Sequence, residues 1–128
     1  MLKKRIAVIS GMVLIAFLLS ACGVTESSAG SSGPQVRMGL STFIDTTVTV
    51  HQGQSIVLVD TVSSTHIVTN GKWDGSTPVS KVEAGAPKVD VTIANEGQQQ
   101  SIGPFTSPGS FQLFCTVHPG MNLDVSVK

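Results

Sequence analysis

The chain has no tyrosine, one tryptophan and two cysteines among its 128 residues, and only 12% of those residues are charged. Two cysteines cannot staple a disulfide-dense scaffold. Eight basic residues against eight acidic ones leave no cationic excess, so a nucleic-acid binder's counterion-releasing phosphate contacts cannot be built here. No Ser-His-Asp set, glycine-rich phosphate loop or paired-carboxylate pattern stands out, and no segment repeats. The length is that of one domain.

The charge that is present is unevenly placed. Lys3-Lys4-Arg5 precedes a mostly apolar run from Ile6 to Leu19, followed by Leu19-Ser20-Ala21-Cys22. The run is too short for a membrane-spanning helix, which needs about 18–20 apolar residues, and a polar stretch follows at once. This is the layout of a signal peptide over residues 1–21. L-S-A-C resembles the lipobox of bacterial lipoproteins, which implies that Cys22 is lipidated and becomes the first residue after cleavage. The chain would then be extracytoplasmic and held on the bacterial cell membrane, stably so with two or more acyl chains. Residues 23–34, GVTESSAGSSGP, are small and polar and read as a flexible linker spanning roughly 17–21 Å. Without residues 1–21, five basic side chains face eight acidic ones.

Residues 35–128 hold fourteen Val and eleven Thr but three Ala and four Leu, a composition that favours pleated strands over helices. Period-two alternation is clear at Val48/Val50, at Val89/Val91/Ile93 and at Met121/Leu123/Val125/Val127. Gly- and Asn-containing turns punctuate these runs. The pattern predicts an all-β Greek-key sandwich or barrel of seven to eight strands, near 35–40, 43–50, 54–60, 64–69, 88–94, 100–105, 109–116 and 121–127. Residues 71–87 lack periodicity and read as a loop or a short helix.

Cys115-Thr116-Val117-His118-Pro119-Gly120-Met121 sets a thiolate, an imidazole and a thioether at three-residue intervals. Extended, such residues lie about 10 Å apart. One metal ion can meet all three only if the segment curls, and Pro-Gly supplies the turn. His66, in a Val-rich strand 49 residues before Cys115, is the best source of a second imidazole. His51 precedes a turn and is expected on the surface. His₂Cys with a weak axial Met is the blue-copper arrangement for one-electron transfer.

The stretch 105–121, FTSPGSFQLFCTVHPGM, together with VTVHQGQSIVLVD upstream, resembles the cupredoxins, and the Cys-x₂-His-x₂-Met spacing is that of amicyanin. The resemblance covers residues 35–128. It implies one mononuclear type 1 copper held by His66, Cys115, His118 and Met121, with His118 at the surface beside Pro119 and Gly120 as the electron port. It implies a monomeric electron carrier and not an enzyme, with redox partners such as c-type cytochromes, an oxidase or a dehydrogenase. Copper buffering or delivery is the alternative.

Two residues depart from the family pattern. Val117 stands where amicyanin has proline, so its N–H could reach the Cys115 sulfur. Ile67 stands where many cupredoxins have asparagine, so support for the ligand loop must come from elsewhere. Phe114, next to Cys115, is expected on the opposite face of its strand. Trp73 is expected to serve packing.

Overall fold

The computed structural model describes residues 33–128; the signal-peptide reading, Cys22 and all but the last two residues of the linker lie outside them. Among the described residues there are nine strands and no helix. β1 (Gln35–Met38), β3 (Gln54–Asp60) and β7 (Gln99–Phe105) form one sheet in the order β1-β3-β7. The other sheet runs β2 (Thr47–Val50), β9 (Asn122–Val127), β8 (Gly109–Cys115), β4 (His66–Asp74), β5 (Thr77–Ser80), and β6 (Asp90–Ile93) also pairs with β4. Two pairs are parallel, β1 with β3 and β2 with β9.

Alternation decides what lies between the sheets. β9 buries Leu123, Val125 and Val127 and turns Asn122, Asp124 and Ser126 outward, while β3 buries Ile56 and Leu58 in the same phase as Asp60. These residues join Val36, Met38, Val68, Ile93, Phe105 and Leu113 in one core. Each such side chain contributes about 1.5–3 kcal/mol through burial.

The segment 71–87 corrects the sequence reading. It is neither a plain loop nor a helix: β4 continues to Asp74, turns at Gly75 and returns as β5, with Gly71 opposite Ser80 and Asp74 opposite Thr77. β5 is exposed at all four positions, so it has no buried face to write an alternation into the sequence. Pro78 is tolerated because the strand is at an edge. The strand foreseen over 43–50 is also shorter, beginning at Thr47. Before it, Phe43 bridges to Met38 and Asp45 grips Arg37 through paired 2.9 Å contacts.

Candidate metal centre

The sheet brings together residues that are distant in sequence. His66 opens β4 and Cys115 closes β8; these neighbouring antiparallel strands set Val68 opposite Cys115, so His66 lies just past the end of β8. His66 Nδ1 is 3.9 Å from Cys115 Sγ, and His118 Nδ1 is 3.5 Å from the same sulfur. All three donor atoms lie within 4.8 Å of one another. His66 and Cys115 have no exposed surface, whereas His118 is half-buried and Val117, Pro119 and Gly120 are exposed. Met121 is buried in the core beside this turn. His51 is exposed, as expected.

The curl that the spacing demands is visible in the backbone. Met121 N–H donates to the His118 carbonyl at 3.1 Å, and Cys115 N–H donates to the Met121 carbonyl at 3.0 Å. Gly120 follows Pro119 with φ +80°, the signature of a type II turn, which needs a left-handed residue at that position. Thr116 N–H donates to the Ile67 carbonyl at 2.9 Å, so Ile67 supports the loop through its backbone.

The rest of that support comes from residues that no spacing rule singled out. Trp73 Nε1–H donates to the Cys115 carbonyl at 2.8 Å. Asn122 holds the tryptophan backbone from both sides, its Oδ1 accepting from Trp73 N–H at 2.7 Å and its Nδ2 donating to Trp73 O at 3.1 Å. Phe114, adjacent to Cys115 on the strand, is buried and packs against Trp73 in a T-shaped arrangement, with centroids 6.0 Å apart and planes at 87°. The one signal in the sequence was a lone tryptophan in a stretch without periodicity. The Cys115 sulfur has two imidazole nitrogens within hydrogen-bonding range, Nδ1 of His66 and Nδ1 of His118.

Burial pushes the His66 imidazole below its ordinary pKa, and the nearby His118 pushes it the same way. Asp60 and the Gly39 carbonyl oppose them. The neutral ring is the form that can offer a lone pair to a metal. The geometry fits an ion as well. Donors about 2.0–2.3 Å from a common centre in a trigonal plane lie about 3.7 Å apart, close to the two nitrogen-to-sulfur distances here. Two imidazoles and a thiol form a donor set suited to copper, which accepts both soft sulfur and imidazole nitrogen.

No protein-family model matches the chain, and no curated protein matches it. Solved structures do. Amicyanin from Paracoccus versutus aligns with a TM-score of 0.56 at 20% identity, covering 77% of this chain and 83% of amicyanin. A purple cupredoxin from Nitrosopumilus maritimus aligns with a TM-score of 0.57 at 13% identity, covering 75% of this chain and all of that one. A point variant of amicyanin in its reduced Cu(I) form aligns with a TM-score of 0.57 at 18% identity, covering 76% of this chain and 83% of that one. The fold is therefore that of the cupredoxins.

Proposed function

We propose that the protein carries single electrons outside the cytoplasm on one copper ion held by His66, Cys115, His118 and Met121. It would be tethered to the membrane through Cys22. The observation that carries this reading is the convergence of two Nδ1 atoms on one buried thiol beside a buried methionine, in a fold that amicyanin shares. The copper, when bound, supplies a Cu(II)/Cu(I) couple. The chain's own part is to keep the donors in one arrangement for both charges. Strands fix His66 and Cys115, and hydrogen bonds close the turn that bears His118 and Met121. His118, half-buried among exposed Val117, Pro119 and Gly120, is where an electron would enter or leave. An apolar rim suits brief docking with c-type cytochromes, an oxidase or a dehydrogenase.

Buffering or delivery of copper would need donors that an incoming protein can reach, and here two of the three converging donors are fully enclosed. The test is to load the protein with one equivalent of Cu(II) and mix it with a reduced c-type cytochrome. The carrier reading expects fast, reversible one-electron exchange with the copper retained. Slow exchange, with rapid loss of the ion to a competing chelator, would favour delivery.

A further inference from the structure

Three polar or charged side chains are buried in the described domain: Asp60, His66 and Asn70. Asn70 is satisfied, donating from Nδ2 to the Pro87 carbonyl at 3.0 Å and accepting at Oδ1 from Val89 N–H at 2.7 Å. The other two each keep an orphaned atom, Oδ2 of Asp60 and Nε2 of His66. They face each other: Asp60 Oδ1 lies 3.8 Å from His66 Nε2, and both side chains have no exposed surface. Buried polar atoms without partners are rare in native proteins, and those that occur point to a group or a state that completes them.

The tautomer of His66 supplies that completion for its own Nε2, which faces Asp60 Oδ1. Its Nδ1 is turned toward Cys115 Sγ and Nε2 lies on the far side of the ring toward Asp60. A ring that gives its Nδ1 lone pair to a metal carries its proton on Nε2. We infer that Asp60 is a positioning residue for the metal centre, its buried carboxylate accepting the Nε2–H of His66 and favouring the more highly charged ion. This inference rests on the electron-carrier reading and deepens it. Closing the gap by about 1 Å brings the pair to hydrogen-bond distance. Metal-bound histidines commonly hand their second N–H to a carboxylate in this way, which fixes the ring and makes it a stronger donor.

The placement of Asp60 is not accidental to the strand. It ends β3 in the same phase as Ile56 and Leu58, on the face that fills the core. Its backbone is held on both sides, N–H to the Gln98 carbonyl at 3.0 Å and carbonyl to the Gly97 N–H at 2.8 Å. A competing role is local: Oδ1 also accepts from Val62 N–H at 3.3 Å, a turn two residues on. The Gly39 carbonyl is a competing acceptor for His66.

Asp60→Asn separates these roles, because an amide oxygen can still accept from Val62 while the negative charge is gone. Wild type, Asp60→Asn and Asp60→Ala are compared in two ways. In the Zn(II)-loaded and metal-free proteins, the His66 Nε2–H is followed by nitrogen-proton NMR. In the copper-loaded proteins, the Cu(II) and Cu(I) affinities are measured separately. The inference expects a slowly exchanging, downfield His66 Nε2–H in the Zn(II) protein that is lost in Asp60→Ala. It also expects Asp60→Asn to bind Cu(II) about 10–100-fold more weakly, with a smaller loss for Cu(I). Each tenfold of that difference raises the reduction potential by about 59 mV. A His66 Nε2–H signal that is the same in all three proteins would assign its proton to Gly39 and overturn the inference. Equal losses of Cu(II) and Cu(I) in Asp60→Asn would also overturn it. The NMR readout needs no blue copper site, so failure of the electron-carrier reading would show separately, as a wild type without a thiolate-to-copper band.

Discussion

His66 and His118 bring the same atom, Nδ1, to the same sulfur, but from opposite surroundings. His66 stands on a strand, fully enclosed, with Asp60 behind it; His118 stands on a turn at the rim, between exposed Val117 and exposed Pro119. The strand side is over-determined by sheet register, which fixes both His66 and Cys115. The turn side is held by a few bonds, chiefly those that close Cys115 on Met121 and Met121 on His118. A site built this way divides its labour. The enclosed half sets the electronic surroundings of an ion, and the rim half gives a partner access to it.

Cys115 belongs to both halves, so its removal is the largest effect. Cys115→Ser is expected to abolish the visible thiolate-to-copper band entirely, as read by absorption after Cu(II) addition. Next in size are the two histidines, where the comparison itself is at stake. Both His66→Gly and His118→Gly should lose the wild-type spectrum, but added imidazole should restore it only in His118→Gly, because only that opening lies at the rim. Rescue of both variants, or of His66→Gly alone, would break the distinction between the two halves.

Smaller effects test the supports. Trp73→Phe removes the donor to the Cys115 carbonyl and leaves that acceptor unpartnered, a cost of about 1–3 kcal/mol, to be read from urea unfolding of the metal-free protein. Gly120→Ala places a side chain at φ +80°, with nothing crowding it, and should cost about 1–2 kcal/mol by conformation alone, read in the same unfolding experiment. The smallest effect lies away from both halves. Arg37 beside Asp45 holds that carboxyl down at about 2, against an ordinary value of 3.8. The pair's contribution is therefore full above about pH 4 and is lost as pH falls toward 2. Asp45→Asn should flatten that part of the acid-unfolding profile and leave the metal centre unchanged; since the pair is exposed, the effect will be slight.

The two halves were also unequally legible in the sequence. The turn side was almost wholly readable, because Cys115, His118 and Met121 are close in the chain and Pro119-Gly120 announces its own geometry. His66 could be named only from its Val-rich strand context and the family resemblance, since the pairing of β4 with β8 that delivers it is a matter of topology. The Trp73 support was hidden for a further reason. It stands on a hairpin whose return strand, Thr77–Ser80, buries nothing, so the hydrophobic pattern that betrays other strands is missing there. Asp60 was legible in retrospect, as it shares the inward phase of Ile56 and Leu58, but a carboxylate ending an apolar strand reads first as a turn residue.

The most direct test of the metal centre is a Cu(II) titration of the metal-free protein followed by visible absorption. The expected result is an intense thiolate-to-copper band that saturates at one equivalent. Copper binding without that band, or a band that keeps growing past one equivalent, would contradict a single centre built on His66, Cys115, His118 and Met121.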